Sequence, residues 1–183
     1  MTTEELAKKL KECFKNAEKD EKEGKKHKGL LATEPSDEKA KFYIQKAKES
    51  LELCKFYKEK RFDYKIPEEW FYALYYCGLA ILSKVGVETR SQKWTALFLE
   101  YVTTKKIIDY DPEFIKRIMV HSEKGKESEV DERENARYGP LIKIEKVFQR
   151  YDEMTELCKK AISQAEEIIY SDKKFEIPKE LME

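Results

Sequence analysis

The stretch that decides the fold is "IPEEWFYALYYCGLAILSKVG", Ile66 to Gly86. Pro67 suits the first turn of a helix, where its missing N–H is not needed, and Glu68 and Glu69 complement the positive end of the helix dipole. Gly86 supplies a left-handed stop. Between these signals apolar residues fall on nearly every side, which a half-buried surface helix does not show. The spacing therefore predicts a central helix, with Ala73, Cys77, Gly78 and Ala80 small enough to let neighbours approach closely.

Working outward, apolar residues recur at helical spacing in segment after segment, and strand signals are almost absent. A first helix covers about residues 3 to 22, with Leu6, Leu10, Cys13, Phe14 and Ala17 on one stripe, and ends in the charged run "KDEKEGKKHKG". That arm either packs or sways. A loop with Pro35 and a cap at Ser36 or Asp37 opens a second helix to about Lys60, along Ala40, Ile44, Ala47, Leu51 and Cys54. A fourth helix is expected from about Glu88, with Trp94, Leu97, Phe98, Tyr101 and Val102 inward. A shorter one begins near Asp111 and Pro112 and carries Phe114, Ile115 and Ile118. The last, from about Pro140 to Tyr170, places Leu141, Ile144, Phe148, Tyr151, Thr155, Cys158, Ile162, Ala165 and Ile169 on a regular seam. The fold class is all-α: an antiparallel up-and-down helical bundle of four to five core helices with an extra N-terminal helix. Its expected parts are an N-terminal arm and charged linker (1–28), the bundle (29–170) and a tail (171–183) that is loose or latches through Phe175 and Ile177.

With 183 residues, 40% of them hydrophobic, the chain has material for one compact domain with a sizeable core. The 37 basic and 37 acidic residues cancel, so no global field draws polyanions and only a local patch could bind nucleic acid. Abundant Lys and Glu with scarce Asn and Gln lean toward a thermophilic source. Cys13, Cys54, Cys77 and Cys158 lie far apart among apolar neighbours, which suits small buried hydrophobes and not a zinc site. The opening "MTTEELAKKLKEC" is charged where a signal peptide needs an apolar run, and the stretch from Trp70 to Leu82 is too short to span a bilayer. A soluble, cytoplasmic protein with no membrane contact is expected.

Chemistry has little raw material. The two histidines, His27 and His121, are too few for a histidine-rich metal site or a Ser-His-Asp triad, and no Gly-rich phosphate loop occurs. No cofactor, metal or catalytic residue is assigned. What stands out is "DERENARYGP", Asp131 to Pro140. Arg133 and Arg137, four apart, share a face if the segment is helical, and form either a phosphate-binding pair or ion pairs with Glu132 and Glu134. Asn135 adds a carboxamide, and Tyr138 either meets a base or phosphate or closes the core with its hydroxyl at the rim. Trp70, Phe71, Tyr72, Tyr75 and Tyr76 look like a stacking platform, but their helical spacing with small residues between them fits core and dimer contacts.

The order of "KGLLATEP", "KAKESLELCKFYKEKRFDY", "EEWFYALYYCGLAILSKVGVETRSQ" and "RENARYGP" resembles the HEPN family of small helical domains over about residues 28 to 170. Many members that cut RNA carry an arginine, four to six intervening residues and a histidine, and act as dimers whose motifs face each other. This sequence has Arg133 with Tyr138 where the histidine could stand, and tyrosine is a poor base at neutral pH. Arg133, Ala136 and Tyr138 instead fit a branch with arginine, two residues, alanine, one residue and tyrosine. In "Arg90, Ser91, Gln92" the family often shows histidine at the position of Gln92. The resemblance implies a homodimer that binds RNA or a nucleotide in a cleft near Arg133, Asn135, Arg137 and Tyr138, with Arg90 and Gln92 as lesser candidates, and without efficient cleavage. The alternative is a protein-interaction module, for example the partner of a minimal nucleotidyltransferase in a toxin–antitoxin pair. A residual ribonuclease using Tyr138 or a carboxylate is a third.

Overall fold

The computed structural model describes residues 1–119 and 144–183. Its elements are α1 (Thr3–Lys22), β1 (Leu30–Ala32), α2 (Asp37–Glu59), a 3-10 turn (Asp63–Lys65), α3 (Ile66–Val85), β2 (Val87–Thr89), α4 (Gln92–Thr104), α5 (Pro112–Ile118), α6 (Ile144–Ile169) and a closing 3-10 turn (Lys179–Leu181). The chain is an all-α helical bundle with an additional N-terminal helix. Among the described residues no helix is long and apolar enough to cross a membrane.

α3 is the hub, packed by α2, α4, α5 and α6. Trp70, Phe71, Leu74, Cys77, Ile81 and Leu82 are all buried on it, as expected for a helix apolar all round. Gly78 marks the close crossing of α4. A Cβ there would lie 3.0 Å from Leu99 Cδ1 and 3.1 Å from Thr95 Cγ2. α2 starts at Ser36, whose Oγ accepts from the Lys39 N–H at 3.2 Å, and buries Ala40, Ile44, Ala47 and Cys54 against α3.

The arm packs. The predicted stripe of Leu6, Leu10, Cys13, Phe14 and Ala17 is buried in full, and α1 rests on β1, α4 and the closing 3-10 turn. Phe14 meets Phe98 edge-on at 6.1 Å. The tail latches over this layer: Phe175 and Leu181 are buried, Ile177 is partly so, and the Tyr101 hydroxyl donates to Glu180 Oε1 at 2.8 Å. His27, in the charged run after α1, is buried rather than solvated.

Three expectations change. Leu30–Ala32 and Val87–Thr89 form a short antiparallel ribbon, with Leu30 opposite Thr89 and Ala32 opposite Val87. The fourth helix therefore begins at Gln92, not near Glu88, and Ser91 caps it by accepting from the Trp94 N–H at 3.5 Å. On α6 the expected seam is buried at Cys158, Ile162, Ala165 and Ile169 and half-buried at Tyr151 and Thr155, joined by buried Val147, Met154, Ala161 and Ile168, while Phe148 is 51% exposed. One residue of α-helix turns the side chain by about 100°, so Val147 takes the inward place and Phe148 looks outward. Leu141, and the side chain of Ile144, lie outside the described residues.

Candidate nucleic-acid interface

At the α2–α3 corner the chain turns without a glycine. The Phe62 N–H donates to the Tyr57 carbonyl at 2.8 Å and the Arg61 N–H to the Lys58 carbonyl at 3.2 Å. This is the double-bonded helix stop that needs a left-handed residue after the cap. Arg61 fills that place at φ 59°, a conformation that costs an L-residue about 1–2 kcal/mol. The turn leaves Phe56, Phe62 and Tyr64 about half exposed, at 46%, 48% and 45%. Around them stand Lys55, Lys58, Lys60, Arg61 and Lys65, against Glu59 and Asp63. Asp63 is buried, so Glu59 is the acid of this stretch that faces solvent.

The cations lie along the rings. Lys60 Nζ is 5.9 Å from the Phe56 ring centre, Lys65 Nζ 5.7 Å from that of Tyr64, and Lys58 Nζ 3.6 Å from that of Tyr151 on α6. Such contacts keep each ammonium at an aromatic face without removing it from water. α6 packs on the 3-10 turn, Tyr151 tilts against Trp70 at 6.1 Å, and the exposed Phe148 sits one turn earlier. Burial pushes the Tyr151 hydroxyl above its ordinary value, with the Cys54 thiol adding to the shift, so it remains a donor at neutral pH. Lys65 also pairs with Glu68 at 3.8 Å.

Two arginines from different helices meet beside this end. Arg117 Nη1 of α5 donates to the Met154 sulfur at 3.8 Å, and Arg150 Nη2 of α6 donates to the same sulfur at 3.3 Å. Arg117 Nε also donates to Glu113 Oε1 at 2.8 Å. The Met154 sulfur is thus a weak acceptor that both guanidiniums meet, and it joins α5 to α6. Arg133, Asn135, Arg137 and Tyr138, which the sequence singles out, lie outside the described residues. Of the lesser candidates, Arg90 is exposed just beyond β2. Gln92 Nε2 donates to the Ile118 carbonyl at 3.1 Å, which ties the start of α4 to the last turn of α5, next to Arg117.

Other surfaces offer different chemistry. Tyr43 and Tyr76 stack at 6.2 Å and Tyr72 and Tyr76 at 5.7 Å, with Lys46 Nζ 4.9 Å from the centre of the Phe42 ring. Phe42 itself is 57% exposed. A groove of about 550 Å³ separates the start of α2 from the ribbon, lined by Ser36, Phe42, Tyr43 and Ser83, and bridged by a Lys39–Glu88 ion pair at 2.7 Å. The described histidine, His27, lies at that ribbon end, roughly one α3 length, or about 30 Å, from the corner. Among the described residues no group of three or more His, Cys, Asp or Glu is placed to hold a metal.

The corner was not singled out by sequence reasoning, though a signal was there: five cations and four aromatics within "KFYKEKRFDYK", residues 55–65. Compared with known proteins, the chain matches no family model, no curated protein and no solved structure.

Proposed function

We propose that the chain is a HEPN-like helical bundle that dimerises and binds RNA or a nucleotide at the corner end of the bundle, without efficient cleavage. The observation that carries this is the concentration of Lys55, Lys58, Lys60, Arg61 and Lys65 around exposed aromatic rings in a protein whose charges cancel over the whole chain. Lysines and arginines neutralise phosphates and release counterions, a sequence-independent gain. Binding fits these groups better than catalysis, because ammonium and guanidinium groups are hydrogen-bond donors rather than bases. A cytoplasmic location and a thermophilic source go with this reading.

The test is incubation of the full chain with a labelled single-stranded RNA in chelator, beside Arg133→Ala and Lys60→Glu, scoring retention and cleavage. Salt-sensitive retention that weakens in both variants at unchanged melting temperature, with intact RNA, is the expected result. Cleavage that disappears in Arg133→Ala would restore a ribonuclease. Absence of retention favours the second reading, a protein-interaction module such as the partner of a minimal nucleotidyltransferase. What speaks for that reading is the half-open aromatic face of Phe42, Tyr43, Tyr72 and Tyr76.

A further inference from the structure

We infer that the α2–α3 corner is a docking site for single-stranded nucleic acid, in which Phe62 and Tyr64 stack on bases while Lys60 and Arg61 hold the adjoining phosphates. This rests on the nucleic-acid reading above and deepens it by naming the strand form and the side chains.

Three independent features of the corner agree. The first is exposure. Phe56, Phe62, Tyr64 and Phe148 are each 45–51% exposed, although the bundle buries Trp70, Phe71 and Phe98 almost fully. Ring faces left in water at a charged corner are the surface that unpaired bases use, since every base has a π-face. A duplex hides those faces inside its own stack, and so gains from the lysines alone. The second is charge. Two of the exposed rings have a cation at their face, Lys60 at Phe56 and Lys65 at Tyr64, and the exposed Arg61 is next in sequence to Phe62. Alternating rings and cations along a short arc match the alternation of base and phosphate along a strand.

The third is strain. Arg61 occupies the left-handed position that a glycine fills without cost, and glycines do fill it after α1 and α3, at Gly24 and Gly86. Strain held by a non-glycine residue is commonest where a side chain is needed. Here the residue is an exposed arginine, next in sequence to the exposed Phe62. Lys106 after α4, at φ 56°, has the same backbone strain far from the corner and serves as a control.

The experiment measures binding of the full chain to a fluorescein-labelled oligouridylate, to the matching oligothymidylate, and to an RNA duplex of equal length. The variants are Phe62→Ala with Tyr64→Ala, Arg61→Gly and Lys106→Gly. Losing both stacked rings is expected to weaken single-strand binding by tenfold or more, on the order of a factor of ten per base, and to leave duplex binding nearly unchanged. Both glycine variants relieve strain and should melt about 2–4 °C higher. Only Arg61→Gly should also bind the single strand more weakly. Equal loss of affinity in the two glycine variants, or equal binding of strand and duplex that ignores the ring substitutions, overturns the stacking site and leaves electrostatic binding standing. No salt-sensitive binding to any of the three probes overturns both the site and the nucleic-acid reading, and leaves a protein as the partner. The RNA and DNA strands separate two sources of one chemistry: tighter binding of the oligouridylate assigns the site to RNA, and equal binding assigns it to single strands in general.

Discussion

Substituting alanine for Gly86 probes the joint between α3 and the ribbon. Gly86 sits at φ 87°, ψ 39°, its N–H directed at the Leu82 and Ser83 carbonyls, and its carbonyl accepts from the Thr33 N–H at 2.9 Å. A Cβ there would stand 2.6 Å from the Thr33 carbonyl oxygen and 3.1 Å from two carbons of Pro35. The left-handed backbone alone costs alanine about 1–2 kcal/mol. Pushing the Thr33 strand away weakens its bond to Gly86 and the Ser36–Ser83 bond of 3.0 Å, each with a net value of about 1 kcal/mol. Together the loss is about 2–4 kcal/mol. Gly24 provides the internal reference, because at φ 68° it has nothing within 4 Å of an added Cβ, so Gly24→Ala should lose only the backbone part of about 1–2 kcal/mol. Urea unfolding followed by helical circular dichroism gives both values. A Gly86→Ala loss no larger than that of Gly24→Ala would show that the ribbon does not clamp the end of α3, and would refute the reasoning.

Leu10→Ala, at a fully buried position of α1, should cost about 2–5 kcal/mol within one unfolding transition; a change under about 0.5 kcal/mol would mean that the arm is not part of the cooperative unit. The Tyr101 hydroxyl is pushed up to about 12 by burial first and by Glu180 second, so its neutral form is favoured in the folded state. Stability from this group is complete below the unfolded value near 10 and lost as pH rises through 10 toward 12. Tyr101→Phe should therefore flatten the alkaline part of the stability curve, and an unchanged slope in urea titrations would contradict the tail latch. The thiols should resist an aromatic disulfide reagent until the chain unfolds, since burial raises Cys13 to about 11 and Cys54 and Cys77 further, and Cys158 is fully buried. Rapid native labelling would refute that packing.

Long amphipathic patterns were the legible part of the sequence. The α1 stripe, the α2 repeat and the apolar α3 are set by local periodicity; the α1 stripe is buried in full, the α2 repeat at Ala40, Ile44, Ala47 and Cys54 with Leu51 half-buried, and α3 over most of its length with Tyr72, Tyr75 and Tyr76 half-buried. The ribbon was not legible, because three residues on each side cannot display a period of two, and "VETRSQ" continues smoothly into a helical pattern. Phe148 misled for another reason. Two neighbouring apolar residues both suit a seam, and only tertiary packing decides that Val147 is buried and Phe148 is not. At the candidate site the arginine-bearing segment 131–140 was conspicuous in the sequence but lies outside the described residues. The corner was hidden by composition, since with 40% charged residues any basic cluster resembles a solvated face. What distinguishes it is the exposure of Phe62 and Tyr64, a consequence of the left-handed turn at Arg61 that no spacing rule reveals.

The most direct test of the central claim is the salt dependence of binding of a labelled single-stranded RNA to the full chain, repeated with Lys55, Lys60 and Arg61 all changed to glutamine. If the corner cations hold phosphates, log affinity falls linearly with log salt at a slope of about −3, the value for four or five contacts at roughly −0.7 each, and the triple variant shallows that slope by about 2. Undetectable binding, or a slope that the triple variant leaves unchanged, contradicts the assignment of nucleic-acid binding to this end of the bundle.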